Sequence, residues 1–183
     1  YTQLDVEDYV KRDDDASFDK SKFFSDPTGH SSNFMRYAAA ADVYVACHYW
    51  DNRSPFIFTR EDVKSPKWNI SLVADVSCDI DGPVASTLRP STIENPFYGY
   101  NPKLEKEVDF KNENAVGVMA VDNLPCELPK DASEEFGKMF INHVLEPLRG
   151  NDPEDIIFRA SETINGKLTP HFKHLQDYLE GKD

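Results

Sequence analysis

The chain has 183 residues, of which 39% are hydrophobic and 12% aromatic, so it can bury a core and belongs with globular rather than disordered proteins. Its formal net charge of −13 disfavours nucleic acid and membrane surfaces as partners, because both are themselves negatively charged. No apolar run approaches the roughly 20 residues that span a bilayer.

The cysteines bear on the cellular compartment of the protein, and the first six residues bear on whether the chain is part of a longer one. The chain has three cysteines, Cys47, Cys78 and Cys126, and no two of them form a C-x-x-C pair. An odd number without such a pair favours reduced thiols and a cytoplasmic location. Residues 1–6 read directly as a strand-like phrase, and we expect the chain to be a piece of a longer protein.

The first elements in chain order are weakly marked. Residues 11–32 are polar and rich in turn formers, which predicts a loop or a loosely helical stretch. A helix is predicted over residues 33–40, with Asn33 as its N-cap.

Three short apolar runs follow, at residues 43–47, 70–76 and 116–121. They are apolar without alternation, which predicts burial on both faces and is typical of parallel strands covered by helices. A helix between the first two runs is predicted to begin after Thr59, with Asp62 completing a capping box. This β-α-β order predicts the α/β class with a parallel sheet.

The segment between the second and third runs differs in character. Several prolines lie within residues 81–102, which predicts an ordered excursion rather than a helix. Residues 97–100 are predicted to form a short edge strand within it.

The last part of the chain is predicted to be a long helix followed by a small α+β segment. Residues 131–148 form an amphipathic helix that Pro147 should end or kink. Asn165-Gly166 predicts a hairpin with a type I′ turn. A final helix over residues 170–179 should follow, with Thr169 as its cap.

Ligands of parallel α/β sheets bind beyond the carboxyl ends of the strands, so the residues that follow each apolar run are the candidate site. They are Cys47, His48 and Tyr49 after the first run, Ser77 and Asp79 after the second, and Asp122, Asn123 and Leu124 directly after Val121, which ends the third.

Each of these positions also has an ordinary structural interpretation. His48 could belong to an aromatic cluster with its neighbours, and Asp79 and Asp81 could be turn formers before Gly82. A calcium loop is excluded because Leu88 stands where the bidentate Glu is required, and we expect no metal site.

No G-x-G-x-x-G and no Walker loop occurs in the sequence. The chain therefore lacks the usual pyrophosphate site at a helix N-terminus. Two interpretations stay open: the protein is not a dinucleotide enzyme, or the loop lies upstream of Tyr1.

Three motifs in series resemble the lysine-ketoglutarate reductase domains of the saccharopine dehydrogenase family. Residues 42–50 are similar to its D-V-L-V-N-x-I-Y-W segment, residues 74–82 to its A-D-I-S-C-D-x-x-G, and residues 118–133 to its A-V-D-N-L-P-x-E-L-P-R-E-A-S. The resemblance runs from about residue 30 to residue 150, and the wider superfamily includes alanine dehydrogenase and transhydrogenase.

The resemblance implies a two-domain oxidoreductase that uses NAD or NADP and acts on an amino acid and an oxo acid. Residues 1–125 would be the C-terminal part of a Rossmann-like nucleotide-binding domain. Residues 126–183 would return to a substrate domain whose main part is absent, which would leave apolar surface exposed and favour a homodimer in isolation.

The resemblance also implies roles for individual residues. Cys47, His48, Tyr49 and Ser77 would line the nucleotide groove, and the segment Val121, Asp122, Asn123 and Leu124 would pass the nicotinamide ribose. Asp79 would lie near the nicotinamide and is the only catalytic candidate, because the family's catalytic Lys and His belong to the other domain. An alanine dehydrogenase and a non-catalytic nucleotide-binding or regulatory module remain the alternatives.

Overall fold

The computed structural model describes residues 1–182 and divides the chain into two compact units, a first unit at Tyr1–Glu127 and a second unit at Leu128–Asp183. In chain order the first unit contains α1 (Val6–Tyr9), β1 (Val10–Arg12), α2 (Lys20–Ser25), β2 (His30–Ser32), α3 (Met35–Ala38), β3 (Val43–Ala46), α4 (Arg60–Lys64), β4 (Leu72–Asp75), β5 (Phe97–Asn101), β6 (Lys106–Val108), β7 (Val116–Met119) and a 3₁₀ helix at Leu124–Glu127.

The first unit is built on a five-stranded mixed sheet in the order β3-β4-β7-β5-β6. Strands β3, β4 and β7 are parallel, which confirms the three apolar runs as the strands of an α/β sheet. The excursion between β4 and β7 adds β5 antiparallel to β7 and β6 antiparallel to β5. The prediction that residues 97–100 form an edge strand is therefore wrong, because β6 pairs with β5 and takes the edge.

One face of the sheet holds the core of the first unit. Val73 of β4 and Val118 of β7 lie on that face and are fully buried, together with Phe58 from the loop before α4. The opposite face is partly open, since Val43 and Val45 of β3 are 52% and 56% exposed. Burial of every strand on both faces was wrong for β3, because an apolar run does not reveal whether a covering element is present.

The helix starts differ in how well the sequence marks them. Thr59 and Asp62 form the expected capping box at the start of α4. Asn33 caps no helix: its side-chain amide donates to the Asp8 carbonyl at 3.3 Å, and α3 begins only after Phe34.

The N-terminal segment is more ordered than its composition predicts. Residues 1–5 form no strand, and the chain begins its regular structure with α1. Within the polar stretch at residues 11–32, β1 pairs antiparallel with β2, and Asp19 caps α2 by accepting from the Lys22 backbone N–H at 3.1 Å.

The second unit consists of α5 (Pro129–His143), α6 (Leu145–Leu148), α7 (Ile156–Ala160), the strands β8 (Thr163–Ile164) and β9 (Lys167–Leu168), a 3₁₀ helix at Pro170–Leu175 and α8 (Gln176–Leu179). The amphipathic helix ends at His143, four residues before Pro147. A proline ring clashes with the carbonyl group four residues earlier, which explains why α6 starts anew after Val144. The apolar side chains of Phe136 and Met139 on α5 are exposed.

The hairpin of the second unit has the expected turn. Asn165 and Gly166 adopt φ values of 52° and 74°, and a type I′ turn requires positive φ at both positions. The final helix starts at Pro170 as predicted but is 3₁₀ in its first part. Thr169 makes no cap hydrogen bond, because its hydroxyl donates to the Ser161 carbonyl at 2.7 Å.

Within residues 1–182, no helix combines the length and the apolarity that crossing a membrane requires.

Candidate functional site

The loops that follow β3 and β4 are joined at the carboxyl edge of the sheet, the edge at which β3, β4 and β7 end. The Ser77 hydroxyl donates to the backbone carbonyl of His48 at 2.8 Å. Just before it, the Val76 N–H donates to the Ala46 carbonyl at 2.9 Å. Two of the three predicted stretches are thus in direct contact.

The Cys78 thiol lies in an environment that disfavours its charged form. Burial of this thiol is the main reason that its pKa is raised to about 11. The negative charges of Asp75, Asp122 and Asp79 contribute further, in that order. The thiol therefore stays protonated near neutral pH and is a poor nucleophile.

Asp79 lies in a tight turn that we call the β4 loop, residues 76–82. The turn is closed by the Gly82 N–H, which donates to the Asp79 carbonyl at 3.1 Å. Cys78 and Asp81 on either side adopt left-handed backbone conformations, with φ of 55° and 54°. The carboxylate of Asp79 is partly buried, and among the described residues it has no hydrogen bond or ion pair.

A cleft of about 1020 Å³ runs along β3 and the N-terminal segment. His48 lines it, and the Nε2 atom of this ring is buried without a hydrogen-bond partner. Burial lowers the pKa of His48, against the opposing negative charges of Asp75 and Asp79. The ring centroid lies 6.5 Å from that of Tyr9, so His48 has an aromatic neighbour, but this neighbour comes from α1 and not from the adjoining Tyr49 and Trp50 that the sequence suggested.

The other predicted site residues are distributed around this edge rather than gathered in one cavity. Cys47 and Tyr49 line the cleft and are exposed. Val121 is buried and pairs with Ser91 in an isolated bridge. The remaining predicted residues lie outside the wall of the cleft; they are Ser77, Asp79, Asp122, Asn123 and Leu124.

Asp75 is a polar residue of the site that the sequence interpretation missed. It is the last residue of β4 and is completely buried. Its position inside the apolar run at residues 70–76 was the available signal, because a carboxylate within a buried strand requires hydrogen-bond donors.

The residues at the carboxyl edge of the sheet can be compared with the needs of a nicotinamide nucleotide, the cofactor that the resemblance implies. The carboxylate of Asp79 has no partner and is partly exposed, so it can contact a polar ring or its ribose, whereas the unpartnered Nε2 of His48 is buried and reaches a ligand only if the ring moves. No glycine-rich loop accompanies them, so the residues fit the nicotinamide end and not the pyrophosphate. In the part of the chain that the structure describes, no three or more His, Cys, Asp or Glu side chains group as metal ligands.

Comparison with known proteins gives concordant matches. Residues 2–171 match the family described as "Alanine dehydrogenase/PNT, C-terminal domain". The chain is 29% identical over 171 residues to alpha-aminoadipic semialdehyde synthase of Arabidopsis thaliana, covering 90% of this chain and 16% of that protein. It is 27% identical over 211 aligned positions to the mitochondrial alpha-aminoadipic semialdehyde synthase of Mus musculus, covering 100% and 22%.

A third relative belongs to a separate set of shorter proteins. The saccharopine dehydrogenase [NAD(+), L-lysine-forming] of Schizosaccharomyces pombe is 30% identical over 139 residues, which is 70% of this chain and 34% of that protein. The chain thus spans between 16% and 34% of the length of these relatives.

Proposed function

Because the chain belongs to the family of alanine dehydrogenase/PNT C-terminal domains, we propose that it forms part of an NAD(P)-dependent oxidoreductase that transfers a hydride at the C–N bond of an amino acid. The favoured reaction is the reductive coupling of lysine with 2-oxoglutarate to saccharopine. Similarity to proteins named saccharopine dehydrogenase and alpha-aminoadipic semialdehyde synthase supports this choice.

We propose a division of roles along the chain. Residues 1–125 form the C-terminal part of the nucleotide-binding domain, and residues 126–183 lead to a substrate domain. The parallel strands of the first unit support the first assignment, since such sheets bind nucleotides at their carboxyl edge. The exposed Phe136 and Met139 of α5 support the second, because apolar side chains on a helix face mark a surface that another element covers.

The observation that carries the proposal is the partner-free carboxylate of Asp79 at the carboxyl edge. A bound nicotinamide supplies the hydride. The hydride acceptor in such a reaction is a protonated imine, and a fixed negative charge beside it stabilises its positive charge. Asp79 carries that charge in our proposal, while His48, Cys47 and Tyr49 flank the nucleotide in the cleft. The proposal assigns the general base to no residue of this chain.

The test is the oxidation of NADH and of NADPH by the full-length enzyme that contains this chain. One assay supplies lysine with 2-oxoglutarate, and a second supplies pyruvate with ammonia. Activity with the first pair supports the saccharopine reaction. Activity with the second pair alone replaces it with an alanine dehydrogenase reaction.

Asp79→Asn tests the residue assignment in the same assay. We expect kcat to fall more than about tenfold, because the substitution removes the charge while preserving the side-chain shape. Asp81→Asn is the matched control: it lies in the same loop, but it is exposed and forms a surface ion pair with Arg60 at 3.6 Å. Equal activities of the two variants would remove Asp79 from the reaction.

A non-catalytic nucleotide-binding or regulatory module is the second candidate function, since the cleft along β3 can hold a nucleotide without a catalytic step. Saturable binding of NAD or NADP by a full-length protein that is inactive with both substrate pairs would support this candidate.

Two further proposals concern assembly and location. We propose that the chain in isolation forms a homodimer through the exposed apolar side chains of α5, which the substrate domain would otherwise cover. We also propose a cytoplasmic location from the cysteine pattern; relatives in Mus musculus and Rattus norvegicus carry the word mitochondrial in their names.

A further inference from the structure

We propose that Asp75 is a positioning residue, which holds the β4 loop and thereby Asp79 in place through a buried hydrogen-bond network that reaches Thr87. The inference rests on the proposed function only in that Asp79 is the residue being positioned. Asp75 touches the β4 loop and the excursion but is too deeply buried to contact a substrate.

The network begins at the two oxygens of the Asp75 carboxylate. Oδ1 accepts from the backbone N–H groups of Ser77 and Cys78, at 3.1 Å and 3.3 Å. Oδ2 accepts from the hydroxyl of Thr87 at 2.6 Å. One side chain therefore ties the start of the β4 loop to a residue of the excursion, ten residues beyond Ser77 in the sequence.

Burial makes these bonds difficult to replace. Asp75 is 0% exposed and Thr87 is 1% exposed, so water does not substitute for a lost partner at low cost. Within residues 1–182 no cationic side chain pairs with Asp75. The carboxylate is accordingly satisfied by hydrogen-bond donors alone, and the positions of those donors fix the loop.

The geometry explains how the network acts on Asp79. Cys78 precedes Asp79 directly and adopts a left-handed conformation with φ of 55°, which residues with a side chain rarely adopt unless their surroundings hold them there. The bond from its N–H to Asp75 and the contact of its thiol with the Asp75 carbonyl at 3.2 Å hold it there. Release of Cys78 would rotate the following peptide and redirect the Asp79 side chain.

The experiment compares Thr87→Val with Thr87→Ser. Valine retains nearly the shape of threonine and removes the hydroxyl donor, whereas serine retains the donor and loses only a methyl group. Both variants leave Asp75 in place, which avoids the risk that a direct substitution of this buried carboxylate prevents folding. Neither Asp75 nor Thr87 is among the residues proposed for catalysis or nucleotide binding.

The first readout is amide hydrogen exchange of the full-length protein without any ligand, measured by mass spectrometry with fragmentation that resolves single residues. We expect Thr87→Val to accelerate exchange at Ser77 and Cys78 by about tenfold, because the loop opens locally more often. Exchange at Val118 in the central strand should be unchanged, and Thr87→Ser should behave like the native chain. Equal exchange at Ser77 and Cys78 in all three proteins overturns the proposal.

The second readout is steady-state kinetics of the full-length enzyme. We expect Thr87→Val to lower kcat by about tenfold with little change in the KM for the nucleotide, since misplacement of Asp79 affects the reacting centre. Faster amide exchange with an unchanged kcat would overturn the positioning role. Should the native enzyme be inactive with both substrate pairs, the proposed function fails, and the exchange experiment alone decides whether Asp75 holds the loop.

Discussion

Gly82 provides a sharp test of how tightly the β4 loop is built, because the effect of adding one carbon there can be calculated. A Cβ atom at position 82 would lie 2.5 Å from the Cβ of Asp79 and 2.7 Å from its carbonyl oxygen. Ordinary carbon contacts begin at about 3.5 Å, so the shortfall is about 1 Å. The opposing atoms belong to the backbone and the rigid Cβ, and they cannot swing away as a long side chain would.

We therefore expect Gly82→Ala to lower the free energy of unfolding of the first unit by about 1–3 kcal/mol, the usual range for overpacking. The turn can relieve the clash only by lengthening the 3.1 Å bond from the Gly82 N–H to the Asp79 carbonyl. Relief of that kind displaces Asp79, so kcat of the full-length enzyme should fall as well.

Urea unfolding followed by tryptophan fluorescence measures this loss. Trp50 and Trp68 both lie in the first unit, so the fluorescence change reports on the sheet that carries the β4 loop. We expect a lower midpoint with an unchanged denaturant slope, which identifies a change in stability.

Gly137→Ala is the matched control, with the opposite expected sign. Gly137 lies inside α5, and an added Cβ would meet nothing within 4 Å. Alanine in a helix interior is favoured over glycine by about 0.5–1 kcal/mol, so the helical circular dichroism of this variant should persist to higher urea. An unchanged tryptophan midpoint for Gly82→Ala, or an equal loss for both variants, would refute the steric reasoning.

Two further predictions concern the first unit. Thr59→Ala should lower its free energy of unfolding by about 1 kcal/mol, because α4 loses its capping side chain; Thr59→Ser should retain most of it in the same urea assay. Burial lowers the pKa of His48 from its ordinary value of 6.5, so the unfolded chain binds the proton first on acidification. The contribution of neutral His48 to the free energy of unfolding is complete above pH 6.5 and is lost as the pH falls toward the pKa of the folded protein. The urea midpoint of His48→Gln should therefore drop less on acidification than that of the native chain.

The parallel strands could be predicted because short runs of β-branched and other apolar residues favour strands locally, even where, as in β3, one face stays exposed. The apolar run at residues 43–47 became β3, and the third run became β7. Strand β6 was missed because Lys106 and Glu107 give it a charged, exposed sequence, as edge strands commonly have. Its existence depends on pairing with β5, a contact that local sequence does not encode.

The residues at and around the candidate site also divide into those that local sequence could predict and those that it could not. Thr59 and Asp62 were recognisable because the capping box is a contact between near neighbours in sequence. Asp79 could be placed at the site from its position after the second apolar run, but its proposed catalytic role came only from the resemblance, since composition treats it as a turn former. The partnership of Asp75 with Thr87 joins positions that the proline-containing excursion brings together, so no pattern within the β4 run could reveal it.

The charge at the carboxyl edge favours one end of a dinucleotide over the other. Asp79 and Asp122 place negative charge around Cys78, and such an edge repels phosphates while it stabilises a cationic imine. The N-terminus of α4 offers no substitute for a phosphate site, because the side chains of Thr59 and Asp62 already occupy its cap. The proposed function therefore requires that the donors for the pyrophosphate come from outside residues 1–182, and that this part of the protein acts on the nicotinamide and the amino-acid substrate.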